Sequence, residues 1–468
     1  MKTLYSKNKC PFAFLREIWV IGPLLTLLFC SCENDLDVGL PQSQLTGVTV
    51  FQDVATAEAA LAEVYFQLRD NSIVNGGTSG AGVIMGLYAD ELDYYGSPQE
   101  AVEQFYKHTL LATNTQVENL WDSSYSIIYK CNAILEGLAK STALNLEEKE
   151  PLMGQAQFIR AYLHFYLVIT FGDIPYIRST DYRLNAKVTR MPKSEVYNNI
   201  VSDILEARTL LPEEDFTGEN IYVAKGVATA FLARVYLFTE QWQAAADACN
   251  IVLEHGSYSL GNIDGVFIKN SSSTIWQLKP QAGNNTLEGK TYIFQSGPPP
   301  YVSLNPALIN SFEPNDLRLQ NWIGKVSVGA NSWFYPYKYK LKQPTGTSEE
   351  YSILIRLAEI YLSRAEARIH MGNLNGAQQD INAIRLRAGL TTTTANSAEA
   401  LLQAIAVERR REFFSEQGLR WFDLVRTGKA SEILEPIKEA WEPTDVLLPI
   451  PMAELLINPN LLPQNPGY

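Results

Sequence analysis

The sequence is poor in the residues that build the commonest small sites. It has five cysteines in 468 residues, too few for a disulfide scaffold. Its four histidines, His108, His164, His255 and His370, share no metal-binding spacing, so they suggest no metal centre. Cations are outnumbered: 38 Lys and Arg face 51 Asp and Glu, a formal charge of −13. Without a basic run the chain lacks the clustered cations that phosphate contacts need, which argues against nucleic acid as a partner. Long apolar runs are missing too: outside the first residues, no stretch has the roughly 18 unbroken apolar residues of a membrane-spanning helix. What the chain does have is a large core, since 46% of residues are apolar and only 19% charged. At roughly 150 residues per domain, the length allows up to three domains.

The first residues read as an address. Lys2, Lys7, Lys9 and Arg16 precede an apolar run of 13 residues, Ile18 to Cys30, interrupted by Pro23. That is too short for a spanning helix and has the proportions of a secretory signal. The run ends Leu28-Phe29-Cys30-Ser31-Cys32, and a small residue before cysteine resembles the bacterial lipobox. The sequence therefore predicts a lipoprotein signal peptide over residues 1–31 and lipidation (palmitate among the acyl chains) at Cys32. Processing there removes four cations and Glu17, leaving 437 residues at −16. Several acyl chains on one cysteine anchor a protein firmly, where one chain holds only marginally. The other mature cysteines, Cys131 and Cys249, fall in separate apolar helical patterns and are expected to be buried thiols.

Residues 32–46 are polar and without helical period, as expected of a tether. Helical patterns follow, beginning after Asp53 as N-cap and continuing at Thr115–Leu138, Pro151–Thr170, Ser194–Leu211 and Lys225–His255, the last with a break near Gln241. Pro151–Thr170 is almost continuously apolar after Phe158, which predicts a central buried helix. Asn75–Gly82 reads as a loop. From Asn270 to Gly346, repeated Pro and Gly forbid long helices and predict loops with short strands. Helical period returns at Ser352–His370, Gly376–Arg387 and Ala398–Gln417, and a proline-rich tail, Pro449–Tyr468, is expected to be extended.

An internal repeat lies at an offset of 132 residues. It sets Ala233 over Ala365, Trp242 over Leu374, Ala245 over Ala377 and Val252 over Ile384. Small residues on two helices joined by a short turn make a tetratricopeptide-like pair. The predicted fold is mostly α, with such pairs in a right-handed superhelix and a loop-rich, short-strand insertion. That scaffold suits holding partners. The expected division is residues 32–265 and 266–468 within one compact unit.

Catalytic motifs fail on inspection. Gly283 to Gly289-Lys290-Thr291 has five residues between its glycines where a phosphate-binding loop needs four. Gly77-Thr78-Ser79-Gly80-Ala81 has Ala where a nucleophile elbow needs Gly. The charged run Glu408-Arg409-Arg410-Arg411-Glu412, the triplet Arg420, Asp423 and Arg426, and Glu359 and Glu366 read as structural ion pairs rather than acid/base pairs.

Three stretches together resemble one family, the SusD/RagB outer-membrane lipoproteins of Bacteroidetes. They are Ser31-Cys-Glu-Asn-Asp-Leu-Asp-Val38 with Pro41–Thr46; Phe158–Pro175; and Arg356–Ala367 with Glu408–Glu412 and Gly418–Arg426. The close, Asn458–Tyr468, also resembles that family. The resemblance spans essentially the whole mature chain. It implies a cell-surface protein, not an enzyme, with no cofactor. Such a protein captures oligosaccharides and passes them to a SusC-like TonB-dependent transporter in the outer membrane, to which it is held by its lipid anchor. The same scaffold binding peptides or proteins is the alternative. A structural calcium is neither required nor excluded by the sequence.

A sugar offers apolar C–H faces, which suit aromatic planes, and hydroxyl edges, which suit Asp, Asn, Gln and Arg. From Trp276 to Tyr339, 64 residues hold 11 aromatics, 17% against 11% for the chain. Trp333, Tyr335, Tyr337 and Tyr339 alternate, so an extended backbone would put them on one face. That face is either core or a ligand platform. The candidates for ligand contact are Tyr94, Tyr95, Trp322, Trp333 and Tyr335.

Overall fold

Asp53 opens the first helix, Val54–Asp70, its carboxylate accepting from the N–H groups of Ala55 and Thr56. The computed structural model describes residues 50–468; the leader, Cys32 and the tether lie outside these residues. Helices Thr115–Lys140, Leu146–Phe171 and Lys193–Leu210 follow and pack side by side. The middle one is buried without a break from Gly154 to Phe171, as its apolar run predicts. It starts earlier than Pro151, because Asn145 and Glu148 form a reciprocal capping box.

The 132-residue repeat is structural. Lys225–Phe238 and Trp242–Glu254 recur as Leu357–His370 and Leu374–Arg387. Ala233, Ala365, Ala245 and Ala377 are fully buried, and Trp242–Glu254 packs directly on Leu357–His370. Trp242 stacks on His370 with ring centroids 3.9 Å apart. Cys131 and Cys249 are buried and unpaired, and burial pushes the Cys131 thiol up to about 12.

The described residues hold eighteen α-helices and six strands. The strands are β1 (Leu92–Tyr94), β2 (Thr274–Leu278), β3 (Val302–Leu304), β4 (Ile323–Val328), β5 (Asn331–Pro336) and β6 (Ser352–Arg356). β1, β3, β5 and β4 make an antiparallel sheet in that order; β2 and β6 pair separately. Between Asn270 and Gly346 no helix exceeds six residues.

Four expectations change. Ser352–Arg356 is a strand, not the start of a helix: all five residues are buried against β2, and the helix begins at Leu357. Ala81–Tyr88 is a helix within the Gly-rich region, starting after a Gly80 whose Cβ would collide with the Asn75 carbonyl. The helix from Ala398 stops at Phe413, where Ser415, Gln417 and Gly418 take positive φ. The tail contains a short helix, Met452–Ile457, rather than being extended throughout.

The charged runs form ion pairs, mostly between elements rather than along one helix. Glu412 meets Arg318, Arg356 and Arg387; Glu408 meets Arg318 and Arg385; Glu416 meets Arg356 and Lys338. Arg234 grips Glu359 through two hydrogen bonds across the stacked pairs, and Arg426 does the same to Glu366. Burial alone would neutralise Glu412, but its three guanidinium neighbours outweigh that and hold it ionised.

Candidate functional site

Trp322 leaves the group of ligand-contact candidates. Its ring is 1% exposed, and its indole N–H donates to the Ile263 carbonyl at 2.9 Å. Phe267 packs edge-on, and the ammonium of Lys338 lies 5.2 Å from its centre. Every face of this ring has a protein partner, which makes it part of the core.

The alternating row also splits, because β5 ends at Pro336. Tyr339 is buried, its hydroxyl accepting from the Ile353 N–H at 2.8 Å. Tyr337 continues the chain beside Trp322, its ring under Lys340. Only Trp333 and Tyr335 remain on the strand, partly exposed, opposite Val326 and Gly324 of β4. Each lies on a glycine. A Cβ on Gly297 would stand 2.1 Å from Trp333, and one on Gly324 would stand 2.1 Å from Tyr335. The two glycines are therefore what lets these rings lie flat against the backbone.

The sheet brings the earlier candidates to the same neighbourhood. Tyr94 sits on β1, opposite Val302. Its hydroxyl reaches Glu100 at 2.8 Å, folding the ring over its own turn. Tyr95 is left 39% exposed, and its N–H donates to the Tyr301 carbonyl at 2.7 Å. Tyr301 meets Tyr94 edge-on at 5.6 Å.

One loop links these rings. Phe294 packs on Tyr335 at 5.0 Å, Gly297 lies under Trp333, and Tyr301 abuts Tyr94. Four residues of chain reach at most about 14 Å, so Trp333 and the Tyr94–Tyr301 pair are near neighbours. Polar side chains at Ser97, Gln99, Gln295, Asn331 and Ser332 are exposed around them. Burial, then the Glu100 carboxylate, pushes the Tyr301 phenol up to about 12, so it stays a hydrogen-bond donor at neutral pH. Tyr301 was not singled out from sequence. Its signal is there: an aromatic directly after Pro298-Pro299-Pro300, on a stiff loop.

Two buried carboxylates lie on the segments that lead into the site. Glu91 immediately precedes β1, and its carbonyl accepts from the Asn305 N–H at 2.8 Å. Glu288 sits in the helix Leu287–Tyr292 that leads into the aromatic loop, accepting from the Ser352 hydroxyl at 2.7 Å. Neither has a cation in salt-bridge contact, and burial raises each to about 7. Among the described residues, no three His, Cys, Asp or Glu side chains converge as a metal site, and no helix is long and apolar enough to cross a membrane.

Comparison with known proteins agrees with this architecture. A family model described as starch-binding, associating with outer membrane, matches residues 49–237, and the model of the SusD family matches residues 321–468. SusD-like protein P2 of Formosa agariphila is 26% identical, the match covering 97% of this chain and 99% of that protein. A solved laminarin-binding SusD-like protein is 25% identical, with a TM-score of 0.74 over 88% of this chain and 99% of the other. A SusD superfamily protein from Bacteroides vulgatus, 22% identical, superposes with a TM-score of 0.76 over 90% of this chain and 100% of its own.

Proposed function

The chain belongs to the SusD family, and from that membership we propose that it is a cell-surface glycan-binding lipoprotein which captures oligosaccharides and hands them to a TonB-dependent outer-membrane transporter. One observation carries the reading. Tyr95, Tyr301 and Trp333 gather at the rim of one sheet with their rings partly exposed, among polar side chains suited to hydroxyl edges. A laminarin-binding relative of the same fold supports it. We read the role as binding rather than catalysis, in keeping with the starch-binding description of the matched family.

Aromatic planes are the energetic core of such a site, each costing roughly 1–3 kcal/mol when truncated. Tyr95→Ala, Tyr301→Ala and Trp333→Ala are each expected to weaken glycan binding about tenfold, with melting temperature unchanged. A glycan array on the soluble domain identifies the oligosaccharide, and calorimetry measures the variants. If all three bind like the native protein, the platform is elsewhere.

A further inference from the structure

A cavity of about 270 Å³ opens beside β1. Leu92 and Asp93 of β1 line it, while Tyr94 does not. Its polar wall comes from distant parts of the chain: Asp90 and Asp93 around β1, Arg410 and Arg420 from two C-terminal helices, and Lys438. Ile437, 56% exposed, stands at the mouth.

The charges do not balance within the wall. Three cations face two carboxylates. Asp90 is consumed by Arg420, at 2.8 and 3.0 Å, and by Arg410 at 2.7 Å. Asp93 is held by Asn305 at 2.8 Å. That leaves donors over. The Arg410 Nε–H is buried with no partner. Lys438 is buried and gives two hydrogen bonds, to the carbonyls of Leu87 and Tyr106, out of the three its ammonium can make. Buried donors without acceptors are rare in folded proteins and need an explanation. Burial also lowers the Lys438 ammonium to about 8, and an anion beside it would reverse that shift.

We propose that this cavity is a binding site for a single acidic sugar unit, separate from the aromatic platform, with its anionic group between Lys438 and Arg410. Asp93 and Asn305 then face hydroxyls, and Ile437 faces a ring C–H surface. The volume is below the roughly 300–1,000 Å³ of pockets for larger ligands, so it suits one ring rather than a chain. A surplus of cationic donors selects a carboxylate or sulfate ester over a neutral sugar.

Ligand-observed NMR on the whole protein tests this with methyl β-D-glucuronide, glucose 6-sulfate, methyl β-D-glucoside and acetate. At least one of the two acidic sugars is expected to bind about tenfold tighter than both the glucoside and acetate, and to weaken as salt is added. Ile437→Trp, which plugs the mouth from an exposed position, should abolish that binding with the melting temperature unchanged; Arg410→Gln should weaken it. Tyr95→Ala should leave it intact, so loss of glycan binding at the platform is read separately. Equal binding of glucoside, acetate as tight as the sugars, no binding of either acidic sugar, or binding untouched by Ile437→Trp would overturn the proposal. So would its loss in Tyr95→Ala.

Discussion

Trp322 and Trp333 lie eleven residues apart in one aromatic-rich segment, yet their rings meet different surroundings. Trp322 is enclosed by Phe267, Lys338 and the Ile263 carbonyl; Trp333 covers Gly297 and keeps a partly open face. Removing the first leaves a cavity and an orphaned carbonyl. Trp322→Ala is expected to cost about 3–5 kcal/mol in denaturant unfolding, whereas Trp333→Ala leaves the midpoint almost unchanged. Glu288 makes a second residue-scale prediction. Its carboxyl is raised from an ordinary 4.5 to about 7 by burial, with the Ser352 hydrogen bond only partly opposing that. The folded state therefore binds the proton more tightly than the unfolded chain does. Its stabilising effect is fully present below pH 4.5 and is lost as pH rises through 7. Glu288→Gln is thus expected to raise the melting temperature at pH 8, by the equivalent of up to about 3 kcal/mol, and to change little at pH 5. An equal shift at both pH values would mean that the carboxyl does not titrate there.

At the scale of elements, the sequence was most legible where a periodic pattern runs long. The 132-residue repeat identified two matching helix pairs, because small residues mark the places where backbones approach, although the expected start of the second pair at Ser352 lay five residues before the helix. Ala365 is fully buried in the packing between helices. Ala365→Leu should therefore overpack the interface and cost about 1–3 kcal/mol in thermal unfolding, while a leucine at exposed Asp247 costs little. Short elements were less legible. Ser352–Arg356 has only five residues, and its apolar run fits a strand or a buried helix equally until β2 is placed beside it. The candidate site was half legible for the same reason. Alternation pointed to Trp333 and Tyr335, but the end of β5 at Pro336 and the burial of Tyr339 are tertiary facts. Tyr301 joins the site only because β1 and β3 pair, a contact between residues far apart in sequence.

For the whole molecule, the proposed function needs the binding domain to stay near the membrane while releasing its cargo. Moderate affinity suits hand-over to a transporter, because a slow off-rate would stall delivery. In that proposal, acylation at Cys32 would set the place. Between Cys32 and Val50 are eighteen steps of chain, which reach at most about 60 Å even when fully drawn out. A lipid at Cys32 would keep Val50 within that distance of the membrane and so raise the protein's effective concentration at a membrane partner. After cleavage at residue 31 the chain would carry −16, which offers anionic lipid surfaces no attraction. Cys32→Ala is accordingly expected to stop incorporation of labelled palmitate and to move the protein out of the membrane fraction, with glycan affinity in solution unchanged. Labelling and fractionation that stay as they were would place the anchor elsewhere. Weakened glycan binding in the soluble variant would tie the platform to the anchored state.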